Sequence, residues 1–185
     1  MITRLLSRTR IVVAAALLGA ATVIPAARAT ESSTVLVACA GSVAATYAPG
    51  LTYAPKPTAI RSHAVAKCPV SVGSTLTSAT FGGSSTGTLS CLAGSASGTL
   101  TLHWDNGKSS TASITSIASL RPNGNMVTVS TGAITAGTFT GAAVVTEVTL
   151  LASSVSACLT PKGLTSASGP TTVTVTRLVK TSHES

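Results

Sequence analysis

The chain is predicted to fold as an all-β domain: a two-sheet antiparallel sandwich, immunoglobulin-like in architecture only, or a flattened barrel. Three observations carry this. Only 9% of the residues are charged, and the body of the chain is dominated by Ser, Thr, Gly, Ala and Val. Thr and Val favour strands, and Gly and Ser favour turns. The residues that build solvent-facing helices are scarce, so no helix-length periodic segment lies between the candidate strands and a parallel β/α fold is disfavoured. Finally, short alternating apolar runs recur between Gly, Pro and Asn breaks, giving nine to eleven candidate strands.

The order of elements begins with an export signal. Arg4, Arg8 and Arg10 precede the apolar stretch Ile11 to Ile24, and Pro25-Ala26-Ala27-Arg28-Ala29 closes it. A basic head, a short apolar run and an A-x-A site predict a signal helix over residues 1–29, cleaved after Ala29. The apolar run is too short to span a bilayer comfortably. Residues 30–185 are then one secreted domain of about 155 residues, long enough to bury a core. The expected locations are the extracellular space and the cell envelope.

Val35 to Cys39 reads as a first strand, followed by a proline-rich segment at 47–57 read as edge strand or loop. Residues 58–72 carry an extended pair. Gly82-Gly83-Ser84-Ser85 reads as a break before a strand at 88–92. Thr99 to Trp104 alternates strictly, with Leu100, Leu102 and Trp104 on one face and Thr99, Thr101 and His103 on the other. Asn106-Gly107 predicts a type I′ hairpin leading into 109–118. Strands are expected at 126–131, 134–140 and 144–151, with Gly132 and Gly141 between them, and at 171–179 after Gly169-Pro170.

Four cysteines allow three pairings. The preferred set is Cys39–Cys68, stapling an N-terminal loop, with Cys91–Cys158 clamping the β body. They enclose 30 and 68 residues, about 3.6 and 4.4 kcal/mol of loop-closure entropy. Such crosslinks matter because Ala, Val and Thr each bury little apolar area. Zinc is disfavoured, since no C-x-x-C knuckle is present and the expected compartment is oxidising. Leu36-Val37-Ala38-Cys39 matches a lipoprotein cleavage pattern, which would lipidate Cys39 and orphan a cysteine. Polar residues 30–34 separate it from the apolar run, so Ala29 is the expected cut. Cys91, Trp104 and Cys158 have immunoglobulin-like spacing, but Ser156 stands where that family places a tyrosine.

Net charge excludes little. The chain carries 12 basic and 4 acidic residues, +8 overall. Arg4, Arg8, Arg10 and Arg28 leave with the signal while all four acids remain, so +8 becomes +4. The remaining bases are scattered and there are only five aromatics, which argues against nucleic acid. His103 and Asp105 invite a hydrolase reading, yet no G-x-S-x-G elbow accompanies them, and Asp is common where a turn starts. Glu147 is expected to be solvated, and no carboxylate pair is placed for glycoside hydrolysis. His63, His103 and His183 lack metal-ligand spacing. No metal site, cofactor fingerprint or catalytic residue is expected. Tyr47, Tyr53 and Trp104 are the candidate ligand-binding residues; Trp104 is expected in the core, and both tyrosines are expected exposed.

Several phrases are similar to those of small secreted actinobacterial proteins with no assigned activity. They are Cys39-Ala40-Gly41, Thr46-Tyr47-Ala48-Pro49-Gly50-Leu51-Thr52, Trp104-Asp105-Asn106-Gly107, the segment Gly132 to Gly141, and Cys158 with Gly163-Leu164-Thr165. The resemblance spans nearly the whole mature chain. It implies secretion, the cysteine framework and a β fold, and it carries no site residues. The expected function is a non-catalytic binding or structural module, with a cell-wall polymer or an extracellular protein as partner. The alternatives are a loop-presenting inhibitor of exported proteases and a hydrolase using His103 and Asp105.

Overall fold

A computed structural model describes residues 31–120, 125–150 and 152–180. The signal peptide expected at 1–29 lies outside the described residues. Eight antiparallel strands follow one another around a closed barrel: β1 (Glu31–Leu51), β2 (Lys56–Ser71), β3 (Ser78–Leu89), β4 (Ala93–Trp104), β5 (Ser109–Leu120), β6 (Met126–Gly137), β7 (Ala143–Leu150) and β8 (Leu164–Lys180). A 3₁₀ helix, Ala152–Leu159, links β7 to β8. Each strand pairs with its neighbours in sequence, and β8 returns to β1 along a ladder from Glu31↔Lys180 to Leu51↔Leu164.

Of the two architectures expected, the barrel forms and the sandwich does not. Every strand is hydrogen-bonded on both sides, so no sheet edge remains to separate two layers. The immunoglobulin-like cysteine spacing has a different origin here. Cys91 lies between β3 and β4 and Cys158 lies in the 3₁₀ helix, so their bond ties two connections rather than two sheets. The strands are also fewer and longer than expected. Residues 35–39 and 47–51 belong to one strand, as do 126–131 and 134–137. Gly82-Gly83 lies inside β3, and Gly169-Pro170 lies inside β8.

The outward residues of β3 and β4 are largely Ser and Thr, and the inward ones largely apolar: Leu100, Leu102 and Trp104 are buried, while Thr99 and His103 are exposed. That polarity is the reverse of a barrel facing lipid. Among the described residues no helix is long and apolar enough to cross a membrane.

The Trp104 end of the barrel is filled. Trp104 packs edge-on against Phe139, with ring centroids 5.5 Å apart and planes at 90°. Its Nε1 donates to Ser110 Oγ at 2.9 Å, and Ser110 in turn donates to the Thr138 carbonyl. Phe81, Leu102, Ile134, Val144 and Val175 complete this packing. Cys39 bonds to Cys68 within the same cluster. The register shifts there, so that Cys68 and Pro69 together lie opposite Cys39. Such a bulge accommodates a proline that has no N–H to give the ladder.

The β4–β5 hairpin stands where it was expected, but its turn is of another type. The Gly107 N–H donates to the Trp104 carbonyl and the Trp104 N–H to the Lys108 carbonyl, enclosing a three-residue loop. Gly107 alone takes a left-handed φ, +77°, whereas a type I′ turn would need Asn106 there too. Asn106 instead accepts the Lys108 N–H on its side-chain oxygen at 3.0 Å.

Candidate functional site

The other half of the barrel is not filled. Around it the inward positions carry small side chains or none. One row of paired residues runs Gly87, Ala96, Ser116, Ser130, Thr146, and its neighbour runs Ser85, Gly98, Ile114, Gly132. Apart from Ile114, residues this small cannot reach the barrel axis, and beside them lies a cavity of about 100 Å³. Its inner end rests on Val43, Phe81, Leu100 and Ile114, which belong to or pack on the filled half. Toward the outer end lie Leu51, Leu89, Met126 and Leu150. The cavity is smaller than the engineered apolar one of about 150 Å³ that accepts benzene, so the space suits at most one small ring or a short aliphatic chain.

The outer end is secured by the second disulfide. Cys91 is fully buried and Cys158 nearly so, and both pack with Leu51, Leu89, Met126, Leu150 and Leu164. The segment that carries Cys158 returns to the barrel at Gly163. This glycine adopts a left-handed φ of +72° and lies directly on the backbone of Gly50 and Leu51. A Cβ on Gly50 would strike the Lys162 carbonyl. Two glycines in contact therefore let the β7–β8 connection lie close against the end of β1.

The cavity wall mixes apolar side chains with eight hydroxyl-bearing ones, and among the described residues no Asp, Glu, Lys, Arg or His lines it. Ser116 and Ser130 satisfy each other, with their oxygens 2.7 Å apart. Tyr47 and Thr146 differ. Each is more than nine-tenths buried, and neither side-chain hydroxyl makes a hydrogen bond among the described residues. Neither oxygen is sealed against protein; both side chains line the cavity. Burial pushes the Tyr47 phenol up to about 12 from 10.0, because phenolate would lose its hydration there. The group is thus a neutral donor across the physiological range.

The candidate binding residues separate in space. Tyr47, expected exposed, is buried because β1 continues through the proline-rich segment and turns it inward. Tyr53 is exposed, on the short turn 52–55. Trp104 sits in the filled half, away from the cavity wall. The loop expected over 47–57 shrinks to that turn, whose Thr52 carbonyl accepts the Cys91 N–H at 2.8 Å.

His103 and Asp105 are not brought together as a pair. His103 faces solvent from β4, and among the described residues no hydrogen bond links it to Asp105. Asp105 Oδ2 accepts the Thr77 N–H at 2.9 Å, the Thr77 hydroxyl at 2.5 Å and the Ser78 N–H at 3.1 Å. These bonds, the Thr77 hydroxyl foremost, hold its carboxyl below the usual range. The carboxylate ties the β2–β3 connection to the β4–β5 turn. Glu147 is exposed.

Ser85, Ser116, Ser130 and Thr146 did not stand out in the sequence. The signal that could find them is parity: on each strand they share the inward phase with the large apolar residues. No protein-family model matches the chain, and no curated protein or solved structure is significantly similar to it.

Proposed function

We propose that this protein is a non-catalytic extracellular binding module whose barrel holds one small, mostly apolar molecule. The observation that carries the reading is the half-filled interior: large side chains pack one end while small ones surround a cavity at the other. Eight strands give a barrel just wide enough either to fill with side chains or to hold one small ligand. An interior assembled from Gly, Ala and Ser forgoes burial energy that Leu or Phe would supply, a cost that binding a ligand offsets. Two disulfides fit an oxidising compartment, and the N-terminal signal pattern supports export.

The absence of a catalytic role is part of the proposal. Supporting it, the Asp105 carboxylate is engaged in holding two connections together. The protease-inhibitor alternative loses its motivating loop, since Tyr47 and Leu51 are buried in a strand.

The test is uptake of small apolar probes by the purified, oxidised protein. Amide chemical shifts recorded with benzene and with cyclohexane should move at Val43, Leu100, Ile114 and Val148. They should stay still at Leu102 and Val175 in the filled half. Saturable shifts confined to the cavity wall are the expected result. Absence of saturable binding for both probes would refute the reading.

A further inference from the structure

We infer that Tyr47 is the polar recognition group of this cavity, and that the molecule it selects is neutral with one hydrogen-bond acceptor, such as a small ketone, aldehyde, ester or ether. The inference rests on the binding-module reading and adds a ligand class to it.

The chemistry of the wall supplies the argument. A carboxylate or ammonium ligand would need an opposite charge or several oriented dipoles to offset its lost hydration. Among the described residues no ionisable side chain other than the Tyr47 phenol lines the cavity, so nothing there offsets the charge of a charged molecule. An entirely apolar ligand that fills the cavity would cover the Tyr47 hydroxyl without giving it a partner, which is costly. A ligand acceptor removes that cost and distinguishes one apolar molecule of a given size from another. Ser116 and Ser130 are already paired and Ser90 donates to the Ala93 carbonyl, so these three do not compete for the acceptor. Ser62, Ser85 and Thr128 also line the wall but are less deeply buried than Tyr47. Among the deeply buried residues of the wall, Thr146 is a second hydroxyl without a hydrogen bond to the described residues, available to a water or to the ligand. The phenol stays protonated well above neutral pH, which keeps it a donor.

The alternation of β1 explains the placement. Val43, Ala45 and Tyr47 share the inward phase, and all three line the cavity. Past Thr46, the pairing of β1 with β8 is interrupted until Leu51 meets Leu164. Tyr47 thus stands where the wall is held by β2 alone, through its pairing with Ile60.

The experiment compares cyclohexanone, cyclohexane and cyclohexanecarboxylate at neutral pH, by calorimetry, on the wild type and on Tyr47→Phe. Cyclohexanone should bind the wild type more tightly than cyclohexane does, and cyclohexanecarboxylate should not bind. Tyr47→Phe should weaken cyclohexanone roughly three- to tenfold, the range for one neutral hydrogen bond, and leave cyclohexane unchanged or slightly tighter. A second readout works without a variant. The chain has two tyrosines, so ¹³Cζ-tyrosine labelling yields two signals, and Tyr53 is the exposed control. Cyclohexanone should shift the Tyr47 signal and leave Tyr53 in place, whereas cyclohexane should produce no comparable downfield shift.

The outcomes separate cleanly. If cyclohexane and cyclohexanone bind equally to both proteins and the Tyr47 signal does not respond to the ketone, the binding module stands and the recognition role of Tyr47 is overturned. Tighter binding of the carboxylate than of the ketone would likewise overturn the ligand class. Failure of all three probes to bind the folded wild type would remove the underlying reading itself.

Discussion

The disulfide between Cys91 and Cys158 offers the sharpest test of how this fold is held. Replacing both residues by alanine opens a loop whose ends are 67 positions apart. Loop-closure entropy for a ring of that size amounts to about 4.4 kcal/mol at 25 °C. Both sulfurs are buried among Leu51, Leu89 and Met126, so their removal acts in the same direction. For a domain of this length, each kcal/mol corresponds to about 2–4 °C in Tm, which places the fall at roughly 9–18 °C. Urea denaturation followed by Trp104 fluorescence is the direct assay. With a slope near 2 kcal/mol/M, the midpoint should drop by about 2 M. The slope itself should rise, because an untethered denatured chain exposes more surface. The matched control is the double alanine variant at Cys39 and Cys68, which opens a smaller ring with a separation of 29, worth about 3.6 kcal/mol. A loss below about 1 kcal/mol in the first variant, with an unchanged slope, would refute the reasoning.

Further outcomes follow from other contacts. Ser116→Val alone strands the Ser130 hydroxyl and should cost about 1–3 kcal/mol. The Ser116→Val/Ser130→Val double variant should recover most of that, a coupling visible in a double-mutant cycle of urea stabilities. Trp104→Ala should lose about 3–5 kcal/mol by calorimetry, since it removes the ring that Phe139 and Ser110 hold. The Asp105 carboxyl is depressed in the folded state, so its stabilisation is full above the unfolded carboxyl value and disappears as pH falls through the folded one. Melting curves of wild type and Asp105→Asn should therefore differ near neutrality and converge in acid. Tyr47 acts in the opposite direction. Its folded value of about 12 lies above the unfolded 10.0, so the folded state retains a proton that the unfolded state loses, and stability should fall between those pH values. In Tyr53→Phe, phenolate absorbance should appear only near pH 12 while the protein stays folded.

The fold class was legible because alternation survives tertiary context. Leu100, Leu102 and Trp104 fall inside and Thr99 and His103 outside, as the period-2 pattern requires. Strand number was not, because Gly was read as an end. In a coiled, closed barrel some glycines sit inside strands where a neighbouring carbonyl comes too close for a Cβ, as at Gly82 beside Ser62. The Asn106-Gly107 pair located the hairpin but not its turn type, because a single left-handed residue with a Trp104–Lys108 bond satisfies the same sequence. The cavity was the least legible feature. It depends on several small residues from different strands reaching the same height, which the register decides and local pattern does not. Tyr47 was misplaced for the same reason, since Pro49 obscured the continuation of β1.

The barrel is completed by joining its first strand to its last. While the chain is being assembled, β1 must wait with one row of amide and carbonyl groups unoccupied until β8 arrives to cover them. The slowest folding event should therefore be this final zipping, which brings together segments nearly the whole domain apart. Any product lacking its last strand would retain two raw borders able to recruit other copies. Loss of the seventeen-residue strand β8 should turn a self-contained cylinder into a sticky open sheet.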